Sequence, residues 1–118
     1  MKGSEDGEYR ILMVDDDESL LEIGSLFMEK FGFRVFTSTS GKEALFLISS
    51  NKFDAIVSDF QMPGMNGLEL LKRLRADGYE LPFVMLTGHG SEEIARDALN
   101  NGADYYLIKE VNASAQYK

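Results

Sequence analysis

The sequence predicts an α/β protein with one parallel sheet of five strands and helices on both faces. Short apolar segments alternate along the chain with longer segments whose apolar residues recur at helical spacing. The first strand segment ends in the run I-L-M-V at residues 11–14, a composition typical of strands covered on both faces. Alternating strands and helices favour parallel pairing through right-handed crossovers. The length of 118 residues is that of one domain.

The first half of the chain supplies two strands and two helices. Residues 9–14 form the first strand, and a helix is predicted after it from the apolar residues Leu20, Ile23, Phe27, Met28 and Phe31. Gly32 ends that helix, since glycine commonly follows a helix C-terminus. Residues 34–37 form the second strand. Ser40 and Glu43 have the spacing of a capping box, which predicts the start of the second helix.

The second half of the chain continues the alternation. Its predicted elements are strand 55–58, a loop at 62–67, a helix capped by Asn66, strand 82–86, a helix capped by Ser91 and strand 105–108. The loop is indicated by its M-P-G-M-N-G composition, and proline is tolerated at the first position of a strand. Asparagine and serine start helices because their side chains accept hydrogen bonds from amides of the first turn.

Composition excludes several classes of function. Twelve basic and twenty acidic residues give a net charge of −8, which repels nucleic-acid phosphates and anionic membranes. There is no cysteine for a disulfide or a zinc thiolate, no apolar stretch of membrane-spanning length and no signal-peptide pattern at the start. We therefore expect a cytoplasmic domain over residues 9–118, with a flexible tail over 1–8 and no direct nucleic-acid or membrane partner.

Polar side chains follow four of the five predicted strands. Asp15 and Asp16 follow the first strand, Asp59 the third, Thr87 the fourth and Lys109 the fifth. In open parallel sheets, ligands bind at this carboxyl edge. Neighbouring carboxylates raise each other's pKa, and Mg²⁺ relieves that conflict. An ammonium and a hydroxyl can both donate to a phosphoryl oxygen, so the set fits phosphoryl transfer with an aspartate as nucleophile.

Four segments together resemble the receiver domain of two-component response regulators. They are I-L-M-V-D-D-D-E (11–18), S-D-F-Q-M-P-G-M-N-G-L-E-L-L (58–71), M-L-T-G-H-G (85–90) and G-A-D-Y-Y-L-I-K (102–109). The resemblance implies a flavodoxin-like, doubly wound sheet of strand order 2-1-3-4-5. It also implies a fifth helix that is short or missing here, because nine residues follow Lys109. We therefore expect a receiver domain excised from a longer multidomain signalling protein.

The same resemblance assigns a phosphoacceptor and a metal site. It makes Asp59 the residue that receives a phosphoryl group from a histidine of a sensor kinase or a phosphotransfer domain. Asp15, Asp16, Asp59 and the backbone carbonyl of Gln61 would bind Mg²⁺, with Mn²⁺ as the alternative ion. The domain would catalyse its own phosphotransfer and dephosphorylation without being an enzyme for a separate substrate.

The resemblance further assigns the residues that respond to phosphorylation. Thr87 and Lys109 would contact the phosphoryl group, Gly88 would leave room for it, and Tyr106 would change its rotamer. The output face would consist of the fourth helix, the fifth strand and the fifth helix. Implied partners are an effector or sensor domain of the parent chain, which is itself a candidate histidine kinase, and a second copy in a homodimer.

Two positions and two alternative functions stay open at this point. Glu110 follows Lys109 where receivers usually have a cis proline, and we expect a trans bond because a non-proline cis bond costs ~2.5–4 kcal/mol. His89 is expected to be an exposed loop residue without a catalytic role. One alternative is a small phosphatase of the haloacid dehalogenase type, with Asp15 as nucleophile and Asp17 as acid. The other is a pseudo-receiver that acts through protein contacts alone.

Overall fold

The chain alternates strands and helices in the predicted order, over residues 8–88 and 92–109 that the computed structural model describes. The strands are β1 (Arg10–Val14), β2 (Arg34–Ser38), β3 (Ala55–Asp59), β4 (Phe83–Thr87) and β5 (Tyr105–Ile108). The helices are α1 (Glu18–Glu29), α2 (Gly41–Ser50), α3 (Gly67–Ala76) and α4 (Glu92–Asn100).

The five strands form one parallel sheet in the order β2-β1-β3-β4-β5. This confirms the expected flavodoxin-like order. The order places β1 and β3 side by side in the middle of the sheet, with β4 next to β3. The residues that follow or end these three strands therefore meet at one part of the carboxyl edge.

Several element boundaries differ from the prediction by one or two residues. Asp59 and Thr87 are the last residues of their strands and do not follow them, because pairing continues to Asp59 opposite Leu86 and Thr87 opposite Ile108. Helix α1 ends at Glu29, so Phe31 lies beyond the helix in a turn. Strand β4 begins one residue after Pro82.

Helices α2, α3 and α4 contribute the main hydrophobic core. Its buried side chains alternate along the strands, as pleated strands require, so that one face of the sheet supplies them. The fully or nearly fully buried members include Leu12, Val14, Ile56, Phe83, Met85, Ala44, Ile48, Leu70, Leu71, Leu74 and Ala98. This core fixes the positions of β1, β3 and β4, whose carboxyl ends carry the polar residues.

Helix α1 contacts β1 and β2. Gly24 allows a close approach, because a Cβ there would lie 2.7 Å from the Met13 methyl group. Ile23 and Phe27 of α1 remain 65% and 60% exposed, and Tyr105 of β5 is 66% exposed. The expected fifth helix and the Lys109–Glu110 bond fall in residues 110–118, which are outside the described residues. Within the described chain, no helix has the length and apolar composition to cross a membrane.

Candidate functional site

A cleft of about 690 Å³ lies at the carboxyl edge of the sheet. Its lining includes six of the residues singled out from the sequence: Asp15, Asp16, Asp59, Gln61, Gly88 and Lys109. Thr87 is 1% exposed and is not part of the lining, although Gly88 beside it is. His89 and the predicted helix cap Ser91 are outside the described residues. The structure therefore brings together all the predicted site residues except Thr87 and Tyr106 in one cleft.

The acidic residues of the cleft form a compact cluster. Asp15, Asp16 and Asp59 each offer a carboxylate oxygen, and these oxygens lie within 4.8 Å of one another. Asp15 and Asp59 are 7% and 6% exposed, whereas Asp16 is open to solvent. Hard divalent cations such as Mg²⁺ prefer oxygen ligands and keep several waters. Two buried carboxylates with an exposed third suit such an ion, because the exposed side leaves room for its waters.

Lys109 supplies the positive charge of the cleft. Its Nζ lies 3.1 Å from Asp59 Oδ1 and 3.4 Å from Asp15 Oδ2. The Lys109 backbone N–H donates to the Thr87 carbonyl at 2.6 Å, which continues the pairing of β4 and β5 by one residue. The ammonium is therefore held against both buried carboxylates by the sheet itself.

Three consecutive aspartates after β1 have three different surroundings. The Asp15 backbone N–H donates to the Ser38 carbonyl at 3.0 Å, and Asp15 Oδ1 accepts the Asp17 N–H at 2.9 Å. The Asp17 carboxylate caps α1 by accepting the N–H groups of Ser19 and Leu20. Acidic side chains are favoured at helix N-termini. Asp17 thus caps the helix at the border of the cleft, while Asp15 and Asp16 belong to the acidic cluster.

Strand β3 and the loop after it hold the Asp59 backbone tightly. The Phe60 N–H donates to the Leu86 carbonyl at 2.7 Å, and the Ser58 hydroxyl donates to the Asp59 carbonyl at 2.9 Å. A Cβ on Gly67 would lie 2.4 Å from that same carbonyl, so only glycine lets α3 start this close to β3. Sequence reasoning missed this role of Gly67. The requirement for glycine at position 67 can be recognised only when the carbonyl that faces it is known.

Sequence reasoning also missed the contribution of Ser38. Its side chain carries no charge, yet it is 2% exposed, and its hydroxyl donates to the Ser40 carbonyl at 2.8 Å. The Ser38 carbonyl is the group that fixes the backbone of Asp15. In the sequence, this role was indicated only by the presence of a polar residue at the end of β2. Its importance depends on β2 and β1 being neighbours, which strand order decides.

The two adjacent tyrosines of β5 face opposite sides of the sheet, as the alternation of a strand requires. Tyr106 is half-buried and packs against the main core, whereas Tyr105 is exposed. The core face also carries the side chains of Met85 and Thr87, and Met85 is the register partner of Tyr106. Tyr106 and Thr87 therefore lie on the same face of neighbouring strands.

The charges in the cleft perturb the titration of two groups. Burial raises the pKa of Asp59 above 3.8, and the negative charges of Asp15 and Asp16 add to the increase. The hydrogen bond and charge of Lys109 oppose that increase without cancelling it. Burial alone would lower the pKa of Lys109, but its contacts with Asp59 and Asp15 outweigh burial and raise it. The crowding of negative charge therefore disfavours the ionised form of Asp59.

The fold and cleft agree with a comparison against known protein families. The family model described as the response regulator receiver domain matches residues 11–117. The chain belongs to the response regulator receiver domain family. The receiver match extends over nearly the whole described sheet and includes every residue of the acidic cluster.

Named relatives of this receiver domain come from several bacteria. The response regulator SaeR of Staphylococcus aureus is 38% identical over 99 residues, which are 84% of this chain and 43% of that protein. A Francisella response regulator receiver domain and the Vibrio cholerae chemotaxis protein CheY4 each superpose with a TM-score of 0.83 at 33% identity, covering 93% of both chains. The chain thus spans less than half of the curated relative.

A third similar structure was solved as a complex. The response regulator TrrA of Thermotoga maritima, solved in complex with Mg²⁺ and BeF, superposes with a TM-score of 0.79 at 28% identity. It covers 92% of this chain and 93% of its own.

The phosphatase alternative is not supported by these findings. That reading needs the carboxylate of Asp17 as an acid beside a nucleophilic Asp15, but Asp17 accepts two amides at the start of α1. It also gives no role to Asp59, which the receiver fold places at the centre of the acidic cluster. The family match assigns the chain to receiver domains instead.

Replacing Asp59 by asparagine should stabilise this receiver domain at neutral pH in the absence of divalent cations. Because the pKa of Asp59 is raised, the folded state binds this proton more tightly than the unfolded chain does. The resulting stability is complete below the ordinary value of 3.8 and is lost as pH rises through the raised pKa. Asparagine resembles the protonated form, so Asp59→Asn should retain that stability at pH 7.

Urea unfolding at a series of pH values in EDTA measures this effect. The midpoint of Asp59→Asn should exceed that of the wild type at pH 7, and the difference should narrow toward pH 4. Asp97→Asn, an exposed change on α4, is the matched control, and the difference between its midpoint and that of the wild type should not narrow in this way. A wild type as stable as Asp59→Asn at pH 7 would contradict the prediction.

Proposed function

We propose that this receiver domain accepts a phosphoryl group on the Asp59 carboxylate from a histidine of a sensor kinase or a phosphotransfer domain. The observation that carries the proposal is the position of Asp59 in the cleft. It is nearly buried, it lies within 4.8 Å of two further carboxylate side chains, and Lys109 is 3.1 Å away. A carboxylate in these surroundings is a nucleophile with a neighbouring cation to balance the incoming charge.

The covalent step of the transfer joins the Asp59 carboxylate and the phosphoryl donor, in the presence of the cation proposed below. An Asp59 oxygen forms a bond to phosphorus while the bond from phosphorus to the histidine nitrogen breaks. That nitrogen keeps the electron pair of the broken bond, and the product is an acyl phosphate on Asp59. Lys109 Nζ, already against Asp59, then donates to a phosphoryl oxygen. Water attacks the same phosphorus, the bond from phosphorus to the Asp59 oxygen breaks, and inorganic phosphate leaves, so the carboxylate returns and the signal is transient.

We further propose that Asp15, Asp16, Asp59 and the Gln61 carbonyl bind Mg²⁺, or Mn²⁺ in its place. Support comes from the clustered carboxylates and from the position of Gln61 in the lining of the same cleft. The related TrrA structure was solved with Mg²⁺ and BeF. When bound, the ion neutralises negative charge on the phosphoryl oxygens and orients them for in-line transfer. The carboxylates hold it in place, and Lys109 remains available for phosphate.

Thr87 and Tyr106 form the proposed switch. The Thr87 hydroxyl would move toward the phosphoryl group, and the space it leaves would let Tyr106 turn further inward. Support comes from their placement on one face of β4 and β5, with Tyr106 only half-buried. Such a change shifts a population, and its extent is limited by the difference in contacts between the two states.

The broader setting of the domain is also a proposal. We infer a cytoplasmic signalling protein in which residues 9–118 form one domain, joined to an effector, sensor or kinase domain. The curated relative SaeR supports this, because the chain covers 43% of its length.

A homodimer through α4 and β5 is supported by Leu99 and Ile108, which are 49% and 53% exposed.

Acetyl phosphate should phosphorylate the wild-type domain at Asp59 in the presence of Mg²⁺ and not in EDTA. Without the cation, additional negative charge would enter a site that already disfavours the ionised carboxylate. Intact-mass spectrometry should detect one added phosphoryl group, and Asp59→Asn should show none. Asp97→Asn is the control that should label normally. Unchanged labelling of Asp59→Asn would exclude Asp59 as the acceptor.

Mg²⁺ should raise the thermal midpoint of the domain, and Asp16→Asn should weaken the apparent Mg²⁺ affinity about tenfold or more. An ion that binds only the folded state at 100 times its Kd stabilises that state by about 2.7 kcal/mol. Thermal unfolding over a Mg²⁺ titration measures both quantities. Ca²⁺ and Na⁺ titrations show whether the response is selective. The metal assignment fails if Asp16→Asn responds to Mg²⁺ as the wild type does.

Thr87→Ala should accept phosphate yet lose most of the response at Tyr106. The hydroxyl that couples the phosphoryl group to the core face is absent in this variant, whereas Thr87→Ser retains it. Chemical-shift changes of the Tyr106 ring after acetyl phosphate and Mg²⁺ report the coupling. A full wild-type pattern of shifts in phosphorylated Thr87→Ala would show that Thr87 does not transmit the change.

A further inference from the structure

A second concave surface lies beside the cleft, between the start of α2, the loop after β3 and α3. We call it the α2–α3 groove; it measures about 650 Å³ and is lined by Lys42, Leu45, Pro63, Met65 and Arg73 together with Ser40, Gly41 and Gly64. Pro63 lines both the groove and the cleft. No role in the phosphoryl chemistry proposed above uses the other residues of this groove.

The floor of the groove is apolar. Leu45 and Met65 are partly buried and pack against the main core. Gly41 makes this possible, because a Cβ there would lie 2.9 Å from Met65 Sδ. The methionine side chain therefore lies directly against the first turn of α2. Methionine is polarisable and adapts its shape, which suits a surface that receives an apolar side chain.

Both charged residues that line the groove are cations, in a chain whose net charge is −8. Lys42 has no carboxylate within ion-pairing distance among residues 8–88 and 92–109. Arg73 pairs through Nε with Asp77 at 3.2 Å, and the side chains of that pair are 58% and 45% exposed. Exposed pairs of this kind contribute little and exchange readily.

Apart from Asp77, which pairs with Arg73, two acidic residues at the helix starts beside the groove accept backbone amides. Glu43 Oε1 accepts the Thr39 N–H at 3.1 Å, in the turn between β2 and α2. Glu69 Oε1 accepts the Asn66 N–H at 2.8 Å, completing the capping box of α3. These carboxylates stabilise the helix starts that border the groove and do not neutralise Lys42. The groove thus presents two cations around an apolar floor, and one of them, Arg73, is paired with Asp77.

We propose that the α2–α3 groove binds a peptide segment of another protein in which carboxylate side chains flank an apolar one. The apolar side chain contacts Leu45 and Met65, and the carboxylates pair with Lys42 and Arg73. An isolated small anion would leave the apolar floor uncovered, and a basic segment would be repelled by both cations. Because Pro63 borders both surfaces, the bound peptide touches the loop that borders the phosphoryl cleft.

Nuclear magnetic resonance titration of the ¹⁵N-labelled domain tests the proposal without any phosphorylation step. The probe is an acetylated, amidated hexapeptide of sequence E-L-E-E-L-E, with K-L-K-K-L-K and inorganic phosphate as comparisons. The acidic peptide should produce saturable shifts at the amides of Lys42, Leu45 and Met65, and the basic peptide should not. Absence of these shifts at millimolar peptide, or equal shifts with phosphate alone, would overturn the proposal.

Charge-reversal variants separate a specific groove from general attraction. The double variant Lys42→Glu with Arg73→Glu should weaken binding of the acidic peptide about tenfold or more. Lys52→Glu with Lys72→Glu changes the net charge equally at exposed positions outside the groove and should alter the Kd less than twofold. Urea midpoints establish that both variants fold. Equal weakening by the two double variants would show that net charge, and not the groove, attracts the peptide.

Discussion

Crowding of negative charge at one edge of the sheet is the constraint on which the rest of this receiver domain depends. Asp15 and Asp59 are almost buried, Asp16 completes the cluster, and a single ammonium lies against the two buried members. Burial and repulsion leave the pKa of Asp59 raised despite that ammonium. A site that is short of positive charge is suited to bind a cation, and it responds strongly when a charged group is added.

The surrounding backbone keeps the carboxylates from separating. Two hydrogen bonds between elements fix the backbone beside the buried pair: the Asp15 N–H donates to the Ser38 carbonyl of β2, and the Phe60 N–H, next to Asp59, donates to the Leu86 carbonyl of β4. Gly67 brings α3 against the Asp59 carbonyl, where any side chain would collide. These contacts oppose backbone movement that would separate the carboxylates. The contacts of Lys109 reduce the repulsion between the carboxylates. Protonation of a carboxylate or binding of a cation would reduce it further.

The cleft and the α2–α3 groove differ in the charged residues that line them. The cleft gathers carboxylates, whereas the α2–α3 groove presents Lys42 and Arg73 around Leu45 and Met65. Pro63 lies at the border of both. The loop that contains Pro63 therefore borders the proposed phosphoryl site on one side and the proposed peptide site on the other. Local charge and not the net charge of −8 decides what each surface attracts.

The sequence by itself determined the alternation of strands and helices, the parallel sheet and the residue types at its carboxyl edge. These features follow from local composition, spacing and capping, and the resemblance added the strand order, which the structure confirms, and the proposed role of Asp59. Tertiary structure decided what depends on contacts between distant segments. It made Asp17 the N-cap of α1 and Asp15 a buried member of the acidic cluster. It also placed Tyr106 against the core and left Tyr105 exposed. It also placed the Ser38 carbonyl where it accepts the Asp15 N–H, and Gly67 against the Asp59 carbonyl. Neither role is visible locally, because each depends on which carbonyl or amide the fold brings opposite the residue.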